Sequence, residues 1–294
     1  MPRILDIAQV GVGVSDRAGW EQYCQEVLGF PAFRAADGAV TYVRWDAYHH
    51  RLALRDAADA QLHYVAFDVG SAEAMEEWSA HLASKQLAVR LVDTSRCRDR
   101  MIAGAIEFQD PDGHPLALGY GFEVAQEPVP YTRPLSVLRT GHVLLTAQDT
   151  KRSHDFYTEL LGFRLSDWIH RTDDMRLCFL RVNSRHHTLA LAPCRPGSKP
   201  RLQHIMVEVE SLDDVMRSYH HAKRLKAPIG RGPGKHPNCQ TIHLYLQTPG
   251  GFAIEFGYGH RRLDDAIHQP VIYPPGTPGD VWGGQVQSAE FVLG

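Results

Sequence analysis

The sequence predicts an α+β protein of two homologous domains, each built from two βαβββ modules. Three observations predict it: whole segments repeat at a nearly constant spacing, β-rich and amphipathic stretches alternate, and prolines cluster between the halves. Tyr23-Cys-Gln-Glu-Val-Leu-Gly-Phe30 matches Phe156-Tyr-Thr-Glu-Leu-Leu-Gly-Phe163, and Ser15-Asp16 matches Gln148-Asp149, at a spacing of 133 residues. His49-His-Arg-Leu-Ala-Leu54 matches His186-His-Thr-Leu-Ala-Leu191 at 137. Asp110-Pro-Asp-Gly113 with Gly119-Tyr-Gly121 matches Thr248-Pro-Gly-Gly251 with Gly257-Tyr-Gly259 at 138. Matches in one order, with a spacing that drifts only slightly, are what duplication and small loop changes leave behind.

The elements follow in order. Ile7 to Val14 is rich in Val and Gly and reads as a strand. Arg17 to Val27 is amphipathic and runs into Gly29, as a glycine-capped helix should. Val40 to Trp45 and Arg51 to Leu54 are β-rich runs. The order restarts with a strand at His63 to Val69 and a helix at Ala72 to Leu82. The second half repeats it from Val137 to Thr146 and Thr150 to Leu161, and again from Leu202 to Val209 and Leu212 to Leu225. Glu127-Pro-Val-Pro-Tyr-Thr-Arg-Pro134 reads as the linker, dividing the chain into domains 1–126 and 135–294.

Composition bounds the function. Apolar residues make up 44% and charged residues 22% of the 294, the profile of a soluble globular protein. A net charge of −3 offers no electrostatic footprint for nucleic acid or an anionic membrane. No run approaches the ~20 apolar residues of a membrane span, and Met1-Pro-Arg-Ile-Leu-Asp6 lacks the apolar stretch of a secretion signal. The five cysteines, Cys24, Cys97, Cys178, Cys194 and Cys239, form no CxxC pair. A reduced, cytoplasmic setting is therefore expected.

The 17 histidines are the compositional oddity, and position decides what they mean. Gly141-His142 opens the third module, Gln203-His204 opens the fourth, and Phe252-Ala-Ile-Glu255 lies in the fourth module's last strand. His142 and His204 thus occupy one position in successive repeats, which pseudo-symmetry brings together. Glu255 is a lone carboxylate in an apolar strand, costly unless something compensates it. Two histidines and one carboxylate form the facial triad that binds non-haem Fe(II). A strand histidine taken singly is more often an ordinary core or surface residue. The first half argues otherwise here, because Gln9, Tyr64 and Ala117 stand at the three equivalent positions. The fold itself does not demand the donors.

Together these segments resemble the type I extradiol dioxygenases of the vicinal oxygen chelate superfamily. The likeness is nearest to enzymes that cleave 2,3-dihydroxybiphenyl and related catechols. It is carried by Gly141-His142, Arg185-His-His-Thr-Leu-Ala190, His204-Ile-Met-Val-Glu-Val-Glu210, Gly234-Lys-His236, His243-Leu-Tyr245 and Glu255-Phe-Gly-Tyr-Gly259, and reaches to Val281-Trp-Gly283. The resemblance implies the glyoxalase-like fold, Fe(II) as cofactor with Mn(II) as its substitute, and a catechol-type substrate cleaved with O2 in aromatic catabolism. It also implies a homo-oligomer. His142, His204 and Glu255 take the place of the iron ligands, and His187 that of the catalytic histidine. His236 and Tyr245 take the places that hydrogen-bond substrate or oxygen. Read from the residues alone, His187 is equally an edge-strand histidine and Tyr245 a half-buried strand tyrosine. Asn238 fits the family pattern, whereas Cys239 stands where close relatives carry aspartate.

Strand alternation adds pocket walls. Leu144 and Met206 each lie two residues beyond a ligand and share its face, and Phe179 resembles the family's ring-contacting aromatic. All three fit plain core as well. His243 shares a strand face with Tyr245, so it either narrows the pocket and meets a polar substituent or makes an inter-module contact. Other members of the superfamily are the alternatives: isomerases and transferases, which draw four ligands from paired modules, and ligand-sequestering proteins, which need no triad.

Overall fold

The computed structural model describes residues 2–172 and 175–283, so the last eleven residues of the expected second domain lie outside the described part. Each half builds one mixed sheet. The first sheet has eight strands in the order Ala32–Arg34, Thr41–Val43, Leu52–Asp56, Asp6–Val14, Gln61–Asp68, Pro115–Tyr120, Gly104–Gln109 and Arg90–Leu91. The second has nine: Ile229–Lys235, Ile242–Gln247, Ala253–Tyr258, Leu202–Val209, Val137–Ala147, Leu189–Pro193, Arg176–Arg181, Arg164–His170 and Val271–Tyr273. Within each module the first strand pairs in parallel with the last, as Leu202–Val209 does with Ala253–Tyr258. The leading strands of the two modules pair antiparallel, so the modules join side by side. Four βαβββ modules in an α+β fold are therefore present. The ninth strand, Val271–Tyr273, is an addition outside the repeated segments.

The matched Asp16 and Asp149 are helix N-caps. Asp16 accepts from the Gly19 backbone N–H, and Asp149 from those of Lys151 and Arg152. Neither helix is α throughout. Arg17–Tyr23 widens into a π turn at Cys24–Leu28, and Thr150–Asp155 does the same at Phe156–Leu160. Each then turns through a glycine with positive φ, Gly29 at 85° and Gly162 at 70°.

Alternation along the strands gives each sheet two apolar faces. One face joins the largest buried cluster, which draws on both halves, with Val143, Leu145 and Ile205 from the second and Val10, Val65 and Phe67 from the first. The other face bounds a space within its own half: Leu144, Phe179 and Ala190 in the second, Ala8, Ala53 and Tyr64 in the first. Aromatic contacts lock the halves together. Trp20 stacks on Phe252 with ring centroids 5.2 Å apart, Phe30 meets Phe256 at 5.7 Å, and the Tyr23 hydroxyl donates to the Gln247 carbonyl at 2.7 Å.

The linker is held rather than loose. The Tyr131 hydroxyl donates to the Trp45 carbonyl, and Arg133 donates both to the Leu28 carbonyl and to Ser218. No helix among the described residues is long and apolar enough to cross a membrane. Trp20→Ala is expected to destabilise the protein by about 3–5 kcal/mol, because it empties a packed inter-half contact. Chemical denaturation followed by circular dichroism checks it, and a loss under ~1 kcal/mol would show that the halves do not depend on this contact.

Candidate metal centre

Three neighbouring strands supply the donors. His142 lies opposite Met206 on the antiparallel neighbour, and Met206 lies beside Glu255 on the next strand. His204 sits two residues before Met206, on the same face. These registers bring His142 Nε2 to 2.8 Å from His204 Nε2, and Glu255 Oε2 to 3.2 and 3.3 Å from the two nitrogens. Metal–ligand bonds of ~2.1 Å at right angles separate neighbouring donors by roughly 3.0 Å, so the spacing fits one ion bound on a single face.

The electrostatics agree. Both Glu255 oxygens are buried and lack a hydrogen-bond partner. Burial pushes this carboxyl up, but the facing His142, His204 and His236 imidazoles outweigh it and hold the pKa well below the usual carboxylate range. Burial lowers His142 to about 4 even against the pull of Glu255. The resulting state, one carboxylate facing a neutral His142, is the state in which such groups bind a metal. His204 Nδ1 meets Gln203 Oε1, which leaves Nε2 free to point its lone pair at the centre. An unsatisfied buried anion and two converging imidazole nitrogens therefore fit a divalent cation.

Above the donors lies a cavity. Leu144, Ile169, Leu177, Phe179 and Ala190 form its apolar wall; His187, His236, Asn238 and Tyr245 add polar groups. The His187 ring lies 4.0 Å from that of His142, and the Tyr245 ring 5.2 Å from that of His204. Burial, then the neighbouring His142, His260 and His186, pull the His187 pKa well down, so the ring is neutral. His236 Nε2 and the Tyr245 hydroxyl are 2.8 Å apart, and burial lowers His236 to about 3. Asn238 donates to Asp167, which also binds His186 at 2.8 Å.

Cys239 lines the cavity with its thiol pushed up to about 12 by burial. It brings no negative charge of the kind an aspartate would carry there.

Two expected wall residues lie elsewhere. Met206 does not line the cavity: a Cβ on Gly141 would stand 2.0 Å from its sulfur and one on Gly257 2.2 Å from its methyl, so its side chain fills the gaps left by those glycines. His243 is fully buried, stacked 4.0 Å from the His236 ring and bonded through Nε2 to Asp280 at 2.8 Å. It does not line the cavity, and its ring and hydrogen-bond contacts among the described residues are with its own module and the C-terminal extension. Its strand partner is Gly234, whose missing side chain makes room for Asp280 from the C-terminal extension.

Sequence reasoning missed His260, Arg171 and Arg231. His260 Nε2 accepts from the His187 backbone N–H at 3.3 Å, and its ring stands 4.7 Å from that of His187. His142, His187 and His260 also bring nitrogens together. The comparison between halves held the signal, since Phe122 stands where the second half has His260. Arg171 and Arg231 line the cavity while donating to the carbonyls of Thr277 and Gly279. Nothing in their local sequence marks them.

Replacing His142, His204 or Glu255 with Ala is expected to abolish stoichiometric metal binding, read by elemental analysis, while circular dichroism shows a folded chain. Full metal occupancy in Glu255→Ala would remove Glu255 from the centre. His243→Ser is expected to cost about 1–3 kcal/mol in stability, the usual effect of breaking a buried bond to a charged group, without changing relative preference among substituted catechols. A changed preference with unchanged stability would return His243 to the pocket.

Comparison with known proteins agrees with this geometry. Residues 139–256 match the model of the glyoxalase/bleomycin resistance protein/dioxygenase superfamily. An iron-dependent extradiol dioxygenase of Rhodococcus jostii is 30% identical, over 95% of this chain and 96% of its own length. A biphenyl-2,3-diol 1,2-dioxygenase of Paraburkholderia xenovorans is 32% identical over 89% of this chain and 90% of its own. The crystal structure of a halotolerant catechol dioxygenase superposes with a TM-score of 0.92 at 25% identity, covering 99% of this chain and 98% of that one. With its fold, its converging donors and its full-length relatives in accord, the chain belongs to the extradiol dioxygenase family of this superfamily.

Proposed function

We propose that the protein is an Fe(II)-dependent extradiol dioxygenase that inserts both atoms of O2 into a catechol-type substrate, breaking the ring carbon–carbon bond beside the diol. The observation that carries this reading is the convergence of His142, His204 and Glu255 beneath a cavity with an apolar wall and two flanking proton-handling groups. Fe(II), or Mn(II) as its substitute, would supply Lewis acidity and an electron path between a chelated diol and O2.

The chain's own residues handle position and protons. Phe179, Leu177 and Ile169 would take the ring and an aryl or alkyl substituent, excluding water from the reacting atoms. His187, buried and neutral, would accept the proton of a substrate hydroxyl and later return it to an oxygen atom derived from O2. Its ring is fixed from two sides, by His186 Nδ1 at 3.1 Å and by the contact with His260. The Tyr245 hydroxyl and His236 Nε2, on the His204 side, would hydrogen-bond the other diol oxygen or the bound oxygen. Asn238, tied to Asp167, would stand at the cavity edge as a substrate contact. The two oxygen atoms leave as one carboxylate and one carbonyl in a ring-opened product.

We also propose a cytoplasmic homo-oligomer. Ile267, Ile272 and Trp282, 77, 62 and 56% exposed on the C-terminal extension, support a surface covered by a second copy. Light scattering would reveal a monomer if this is wrong.

The test of the activity is anaerobic loading with Fe(II), then stoichiometric O2 uptake with 2,3-dihydroxybiphenyl or a substituted catechol and appearance of a yellow ring-opened product. Metal binding without O2 uptake on any catechol would overturn the proposal in favour of an isomerase or a sequestering protein. His187→Asn is expected to keep metal and substrate while turnover falls roughly 10²-fold. Normal kcat across the pH range would make His187 structural.

A further inference from the structure

The first half holds a counterpart of the catalytic cavity, with different chemistry. Tyr42 pairs with Ala53 as Phe179 pairs with Ala190, and Ala66 lies between Gln9 and Ala117 as Met206 lies between His142 and Glu255. Register thus places Gln9, Tyr64 and Ala117 at the three donor positions, and Val40 and Ala53 at those of Leu177 and Ala190. Val40, Ala53 and Tyr64 are among the residues that line a space in this half. The duplicated backbone has kept a cavity where the metal donors are gone.

A fixed cation stands there instead. The Arg100 guanidinium lies 3.8 Å over the Tyr64 ring, and Gln9 Nε2 donates to the Arg100 carbonyl at 2.9 Å. Arg100 is 4% exposed and ion-paired with Glu107, yet its Nη1 has no partner. The Tyr64 hydroxyl, on a side chain 5% exposed, has none either. Two buried donors are thus unsatisfied in residues that line one cavity, and a buried donor without an acceptor is costly. The local charge has the same sign. Arg90, Arg96 and Arg100 share the single carboxylate of Glu107, and Arg55 pairs with Asp99 at 2.7 Å, so four guanidiniums face two carboxylates. The rest of the lining is mixed: Val40, Ala53 and the Tyr64 ring belong to a buried apolar cluster, while Arg55, His63, Arg96 and the Asp99 carboxylate, already paired with Arg55, also line the space.

We propose that this cavity is a second binding site, for a small carboxylate with a flat apolar body such as an aromatic or dienoic acid. The carboxylate accepts from Arg100 Nη1 and the Tyr64 hydroxyl, and the body lies against Val40 and Ala53. A guanidinium with a hydroxyl beside it suits the two oxygens of a carboxylate. The apolar wall distinguishes that ligand from a small inorganic anion. No metal is needed, so the inference stands apart from the catalytic reading.

Calorimetric titration of the metal-loaded full-length protein with benzoate, acetate and inorganic phosphate tests it. Benzoate is expected to bind at least about tenfold more tightly than acetate or phosphate, with the charged hydrogen bonds supplying the anchor. Arg100→Gln is expected to weaken benzoate by about tenfold or more and Tyr64→Phe by about fivefold, roughly one lost hydrogen bond each. Catechol cleavage is expected to be unchanged in both. Tyr64→Phe keeps the ring and its packing, so it reads binding even if Arg100→Gln unfolds. Benzoate binding unaltered in Tyr64→Phe would place the ligand elsewhere and overturn the proposal. Benzoate no tighter than acetate or phosphate, or no binding at all, would overturn it too.

Discussion

A single buried carboxylate, Glu255, imposes the constraint to which the second half is organised. An anion inside an apolar sheet is tolerated only when charge and hydrogen bonds compensate it, and burial keeps two of the neighbouring imidazoles, His142 and His236, from charging. Neutral rings cannot balance it alone. A divalent cation held by Glu255, His142 and His204 would, which is why the register of three strands matters. Slipping any of them by one residue would turn its donor to the opposite face. The groups around the triad then follow: Gln203 orients His204, and His236 stands 3.5 Å from the second carboxylate oxygen.

Duplication has separated frame from chemistry. Both halves keep the module order, the glycine-ended helix and the parallel and antiparallel registers, and both leave space on the same sheet face. Even the paired histidines keep their mutual contact, His49 Nδ1 to His50 Nδ1 at 3.0 Å and His186 Nδ1 to His187 Nδ1 at 3.1 Å. What differs is a handful of side chains, with Arg100 supplying in the first half a permanent positive charge. The first half shows that this frame packs without metal donors, because its stability comes from the apolar face shared between the sheets.

The C-terminal extension completes the catalytic cavity. Val271–Tyr273 adds a strand beside Arg164–His170, and Gly279 then reaches the cavity wall. Arg171 and Arg231 hold the extension through the carbonyls of Thr277 and Gly279, while Asp280 fills the space beside Gly234 and receives His243. The same guanidiniums thus fasten the extension and line the cavity.

The sequence by itself determined the module architecture, because burying one face of a strand or helix writes a period into the residues and duplication writes it twice. It also determined the triad, since His142, His204 and Glu255 interrupt apolar strands at positions where the other half has Gln9, Tyr64 and Ala117. Only the tertiary structure decided which neighbours each side chain meets. Met206 and His243 face as alternation requires, but glycines on adjacent strands opened room for them away from the substrate. Arg171 and Arg231 reach the cavity, and His260 reaches His187, through contacts between residues far apart in the chain. Local pattern records which face is buried. It does not record what that face is buried against.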